Sequence, residues 1–454
     1  MSAPKPSDLA LRHATREALK KAPVPHGIGA FAFDLREISL DLAGMTKHKL
    51  DTAWVRTQFP AFSEPSLQGQ AFFENAGGSY TCKPVIDRLF RFYTQRKVQP
   101  YAPYEASTLG GQEMDEARSR MAALLGVATD ELSFGPSTTQ NTYVLAQAFA
   151  QLLKPGEAIV VTNQDHEANT GPWRRLVDRG IEIREWCIDP ETGALNPDDL
   201  ENLLDEKVRL VCFPHCSNVV GQINPVVEIT ALAHAAGAFV CVDGVSYAPH
   251  GFADVGSLGA DIYLFSAYKT YGPHQGVMVI RRALAELLPN QGHVFNGDTL
   301  YKRFTPAGPD HAQVAACAGM ADYIDALYAH HFDAAASPAE RGVAVHDLMR
   351  DHETTLLQPL LDAVSARNSV RLIGPSDAAG RAPTVALALN RPGEEVATEL
   401  VQHGIMAGGG DFYAGRALSA MGVDMDRGVL RLSFTHYTSK SEIDQLLSAL
   451  DAVL

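Results

Sequence analysis

The chain has 454 residues, 46% of them hydrophobic and 20% charged, a globular composition too long for one simple core. Its formal net charge of −15 disfavours a nucleic-acid partner, and no stretch approaches the roughly 20 apolar residues that span a bilayer. Six scattered cysteines lack metal-site spacing, because Cys212 and Cys216 have no second Cys or His pair to complete a set. A reduced, cytoplasmic, metal-free protein is therefore expected.

Residues 1–50 read as an N-terminal extension. Met1–Lys21 is more basic than acidic and carries no apolar stripe, and Pro23, Pro25, Gly27 and Gly29 follow. Asp8 and Glu17 interrupt the basic run, which argues against a transit peptide, and Met45 is an alternative start. From about Trp54 the pattern becomes regular. Helical spacing covers Met114–Leu125, a short strand follows at Glu131–Phe134, and Gln140–Leu153 is helical again. Strands are then predicted at Ala158–Thr162, Ile181–Trp186, Val208–Phe213, Ala238–Val242 and Ile262–Phe265. Helices are predicted between them at His166–Arg179, Pro197–Leu204 and Val227–Ala236. Long helical stretches run from Gln313 to Leu327 and from Arg341 to Ala366. Shorter strands close the chain at Val370–Ile373, Thr384–Leu389 and Val429–Ser433. The alternation predicts an α/β fold, with a large domain over residues 51–312 built on a mostly parallel sheet and a smaller α+β domain over 313–454.

Open α/β sheets build their sites at the carboxyl ends of their strands. One buried strand here ends in Asp243 and the next leads into Lys269. That pair suits pyridoxal phosphate, since the lysine can form a Schiff base with the aldehyde while the carboxylate keeps the pyridine nitrogen protonated. Either residue alone would read as a turn residue or a surface lysine. Phe134–Thr139 lies between a strand and a helix, where exposed amides and hydroxyls make an anion site or a plain helix cap. His166 follows another strand of the same sheet and can lie flat on a pyridine ring or move protons. Asn218 follows a third and can hydrogen-bond a phenolic oxygen. No G-x-G-x-x-G follows a strand, which sets aside a nicotinamide cofactor.

These segments resemble the class V aminotransferase family, specifically its cysteine desulfurase-like and isopenicillin N epimerase-like members, from about Phe59 onward. The motifs are FFENAGG at 72–78, STTQNT at 137–142, DHEAN at 165–169, HCSNVVGQINP at 215–225, VDGVSYAPHG at 242–251 and FSAYKTYGPHQG at 265–276. The resemblance implies a fold-type I pyridoxal phosphate enzyme and a homodimer acting on a small amino acid. It implies Lys269, His166 and Asp243 as the catalytic set, with Lys269 holding the cofactor and moving the substrate's α-proton. Asp243 would pair with the pyridinium nitrogen, His166 would stack on the ring and Asn218 would meet its oxygen. Thr138, Thr139, Ser266 and Tyr268 would hold the phosphate. Arg431, in Gly428–Phe434, resembles the arginine that clamps the substrate carboxylate.

The departures bear on the reaction. Desulfurases of this family carry a sulfur-accepting cysteine on a mobile loop before the arginine strand. The corresponding Ala407–Gly415 has none, and no cysteine follows Cys317. Persulfide transfer by the usual route is therefore not expected, and Phe412 and Tyr413 are read as lining a substrate pocket or as a simple turn. A Gly-Thr that crosses to the partner's phosphate in many relatives is missing from Phe304–His311, where Asp310 and His311 are the local alternatives. Ser246 stands where many desulfurases have glutamine and is a cofactor-side candidate, with Asn75 a substrate-side one. Transamination, β-elimination and epimerisation all remain open, as does a non-catalytic binding role.

Overall fold

The computed structural model describes residues 49–454, which form one compact unit; the expected extension lies almost entirely outside them. Eight early strands are β1 (Ala71–Phe72), β2 (Leu132–Gly135), β3 (Ala158–Thr162), β4 (Glu182–Trp186), β5 (Val208–Pro214), β6 (Phe239–Asp243), β7 (Ile262–Ser266) and β8 (Gly276–Ile280). All but β1 form one sheet in the order β2-β8-β7-β6-β5-β3-β4. Strands β3 to β7 are parallel to one another, and β8 runs antiparallel to both β7 and β2.

Each central strand is apolar on both faces, as a doubly covered parallel sheet requires. Val160, Val211, Val240, Val242 and Phe265 enter the core on one side. Ile159, Val161, Leu210, Ile262 and Leu264 enter a second cluster on the other, with Phe149 and Trp173 of the covering helices. Each such side chain contributes about 1.5–3 kcal/mol by leaving water. The chain moves outward from β3 to β4 and then returns to place β5 on the other side of β3. That reversal opens a crevice at the carboxyl edge, where α/β sheets bind ligands.

The remaining strands are β9 (Val370–Ile373), β10 (Thr384–Leu389), β11 (Ile405–Met406), β12 (Gly408–Gly410) and β13 (Val429–Ser433). A four-stranded antiparallel sheet in the order β12-β13-β10-β9 has its own core, including Val385, Leu387, Leu430, Leu432 and Leu446. Ala71 and Phe73 belong to that core, β1 pairs with β11, and Glu74 bridges to Ser433. An early segment of the chain is thereby held beside β13. No helix of the described residues is long and apolar enough to cross a membrane.

Several elements differ from expectation for identifiable reasons. The helix predicted from Met114 begins at Glu105 and runs to Leu124. Gly110 and Gly111 disguise its first turns, yet they are used for close packing: a Cβ at Gly111 would lie 2.7 Å from the Tyr101 ring. The helix predicted over Gln313–Leu327 is two, His311–Ala316 and Ala318–His331, joined at Cys317. Asp310 caps the first of them, its carboxylate accepting the Gln313 amide at 3.1 Å. Strand β8 went unread, because its apolar run emerges directly from a glycine-rich turn. Here Gly276 matters, since a Cβ on it would stand 2.4 Å from the Ser137 carbonyl carbon and 2.6 Å from the Thr138 nitrogen. Gly276→Ala is expected to cost about 1–3 kcal/mol through overpacking against fixed backbone. It should lower Tm in thermal melts and weaken anion binding at the adjoining helix start.

Candidate active site

One cavity of about 470 Å³ opens at the carboxyl edge of the large sheet. Thr138, Thr139, His166, Asn218, Asp243, Ser246, Ser266, Tyr268, Lys269, Phe412, Tyr413 and Arg431 all line it. Asn75 is placed elsewhere, as are Asp310 and His311 at the start of the helix His311–Ala316. Asn75 is buried, accepts a hydrogen bond from the Tyr437 hydroxyl, and faces a small adjoining void with Ser246 and Lys269. Its neighbour Glu74 takes the place on the cavity wall.

The site's ionisation follows from its dryness. Burial, helped by the nearby Arg431 cation, lowers Lys269 to about 8, so roughly a tenth of its amine is uncharged at pH 7, far more than for an exposed lysine. Burial likewise lowers His166 to about 4 and leaves its ring neutral. Its Nδ1 accepts the Ala168 amide at 3.0 Å, which fixes the ring at the start of the helix Glu167–Arg174. Asp243 is pushed up to about 6 by burial, against a 2.8 Å hydrogen bond from the Val245 amide and the attraction of Lys269. Asp165 lies on the same wall and is raised further, first by burial and then by the Asp243 charge. One of its oxygens accepts from Asn169 at 2.7 Å and the other is buried without a partner.

At one end the cavity meets the N-terminus of the 15-residue helix Thr138–Leu152. The Thr138 and Ser266 hydroxyls share a 2.8 Å hydrogen bond, and Tyr268 stacks on His274 with ring centroids 4.9 Å apart. Free amides, hydroxyls and the helix dipole together make an anion cradle. At the other end Arg431 is 3% exposed and pairs with Glu74 at 2.6 Å. Its guanidinium lies 3.7 Å above the Phe412 ring. Phe412 and Tyr413 both have positive φ, 52° and 57°, an unusual pair for bulky residues. Hydrogen bonds hold them there: Asn218 Nδ2 donates to the Phe412 carbonyl, the Glu167 amide to the Tyr413 carbonyl, and the Tyr413 amide to Asp411.

Glu74, Asp165, Glu167 and Asp411 were not singled out from the sequence. Asp165 and Glu167 flank His166 in the DHEAN motif, so that signal was present. Glu74 became visible only once β1 was seen to dock beside β13. Among the described residues no group of His, Cys, Asp and Glu could hold a metal.

A doubly covered sheet that delivers a lysine, a carboxylate and a histidine to an anion cradle at its switch point defines a fold-type I pyridoxal phosphate enzyme. The family model for aminotransferase class V matches residues 71–446, and the chain belongs to that family. It is 33% identical to the aminotransferase-like protein FGM3 of Gibberella zeae, over 88% of this chain and 98% of the relative. It is 29% identical to a cysteine desulfurase of Serratia proteamaculans, over 88% and 97%. Among solved structures, the apo cysteine desulfurase of Thermococcus onnurineus superposes with a TM-score of 0.77 at 23% identity, covering 90% of this chain and 99% of that one. Members of the family use pyridoxal phosphate, and the cavity fits that group. It combines a lysine whose pKa is lowered to about 8, an anion cradle, and buried Asp165 and Asn218 oxygens with no protein partner.

The raised Asp243 makes a stability prediction for the cofactor-free protein. An acid whose folded pKa exceeds its unfolded value stabilises below the unfolded value, near 4, and that contribution is lost as pH rises through about 6. Asp243→Asn should therefore melt about 3 °C above wild type at pH 7.5 and level with it at pH 4. Equal differences at both pH values would exclude this origin.

Proposed function

We propose that the protein is a pyridoxal phosphate enzyme that removes a proton from Cα of a small α-amino acid, leading to transamination or β-elimination without persulfide transfer. The observation that carries this reading is Lys269, an amine lowered to about 8 on the same cavity wall as Asp243 and Arg431. Bound there, the cofactor supplies an electron sink for the charge left at Cα. Lys269 Nζ holds the cofactor and then moves the α-proton. Asp243 keeps a proton at the ring nitrogen, and neutral His166 presents an apolar face to the ring. Thr138, Thr139, Ser266 and Tyr268 hold the phosphate, with Asn218 and Ser246 beside the ring. Arg431 orients the substrate carboxylate, and Phe412 and Tyr413 cover it.

Two observations support the exclusion of persulfide transfer. The loop Ala407–Gly415 has no cysteine. Cys216, the one cysteine lining the cavity, is pushed up to about 12 by burial and stays protonated, so it lacks the thiolate such chemistry needs. Homodimerisation belongs to the same reading and is supported by the exposed rings of Phe90 and Phe295, at 72% and 82%.

Lys269→Ala should abolish turnover while the protein remains folded; wild-type turnover in that variant would sink the proposal. Covalent loading of cofactor-free wild type with pyridoxal phosphate should quicken as pH rises through about 8, as the Lys269 amine loses its proton. Titrating the loaded protein with amino acids, without added keto acid, separates the reactions. Lasting conversion to the pyridoxamine form with stoichiometric keto acid means transamination. A returning spectrum with continuing product release means β-elimination.

A further inference from the structure

The arginine expected to grip a substrate carboxylate already grips one. Arg431 Nη2 lies 2.6 Å from Glu74 Oε1, inside a wall that buries all but 3% of the arginine. The glutamate is built into that position. A Cβ at Gly77 would stand 2.8 Å from its Oε1, and one at Gly408 would stand 3.0 Å from its Oε2, so both glycines leave room for this carboxylate. The pair is neutral as a unit. A substrate carboxylate joining Arg431, which is itself buried beneath the Phe412 ring, would add a net negative charge to this wall, and an uncompensated charge there is costly. Two polar atoms there have no partner: Arg431 Nε, a donor, and Glu74 Oε2, a buried acceptor. The arginine can accept the substrate carboxylate while the glutamate keeps an oxygen free for a donor.

We propose that Glu74 sets substrate specificity, and that the substrate is an amino acid with a cationic side chain whose charge is met at Glu74 while its carboxylate meets Arg431. This restores neutrality, one carboxylate and one cation being added to one carboxylate and one cation. The approach to the site has the same sign. An adjoining cavity of about 430 Å³ shares Asp165, Glu167 and Tyr413 with the first. Of its ionisable groups, Arg416 and Glu167 pair at 3.0 Å and cancel and burial raises Asp165, which leaves the Asp411 carboxylate to set the sign. The exposed Tyr413 ring adds a face that attracts cations. An entrance of this sign draws in a cationic substrate and slows an acidic one.

The inference rests on Arg431 taking the substrate carboxylate, and the test separates the two. The pyridoxal-phosphate-loaded protein is titrated with pairs that differ by one ammonium group, L-lysine against L-norleucine and L-ornithine against L-norvaline, and Kd is read from the absorbance change. The ammonium-bearing member should bind at least about tenfold tighter in wild type. In Glu74→Gln the ratio should fall to within about twofold. Equal affinities in wild type, or an unchanged ratio in the variant, would overturn the assignment to Glu74 and leave the proposed function standing. No spectral response to any amino acid would sink both. If Glu74→Gln fails to fold, Glu74→Asp withdraws the charge by one methylene and should give an intermediate ratio; a wild-type ratio there counts against the proposal.

Discussion

Everything at this site depends on removing charge from water. Asp243, Asp165 and Arg431 are buried and Lys269 is partly so, and burial is the largest influence on the ionisation of each. Burial lowers the lysine to about 8 and raises both carboxylates above their usual range. A lysine so lowered supplies more free amine to attack an aldehyde, and Asp243, still ionised near neutrality, can hold a proton at a pyridine nitrogen. The sheet makes this possible by covering both of its faces and leaving only its carboxyl edge to carry polar groups. The stability prediction for Asp243→Asn is the other side of that arrangement, since the cofactor-free protein bears an ionisation the loaded protein would use.

The large sheet was legible in the sequence because its strands are short apolar runs that end in turn residues. Ala158–Thr162 was read as it stands, and β4 to β7 were read to within a residue or so at their ends. Elements whose local signal conflicts with their tertiary role were not. Strand β8 hides behind a glycine turn, and the first turns of the helix Glu105–Leu124 hide behind two glycines that packing required. Three glycines at 408–410 form β12 because β13 offers a partner, which no propensity would suggest.

The candidate site divides in the same way. Residues carried by strand ends and motifs converge on one cavity, because a parallel sheet places all its carboxyl termini on one side. Contacts that depend on chain segments far apart in sequence were hidden. Glu74 and Arg431 are separated by 357 positions, and only the docking of the first strand beside the last sheet brings them together. The same docking carries Asn75 to Tyr437 and off the wall of the main cavity.

The loop bearing Phe412 and Tyr413 joins β12 to the helix Gly415–Ala420, and Ala414 and Phe412 pack it onto one apolar layer of the large sheet. Its unusual backbone is held by three hydrogen bonds to its surroundings and to itself, with no share in that sheet's ladders. The segment behaves as a replaceable tool on a fixed handle. On the function proposed above, rewriting a few residues there would change what touches the substrate without altering a strand of the large sheet, a route by which kin with one scaffold can diverge in chemistry through a stretch shorter than a single strand-and-helix repeat.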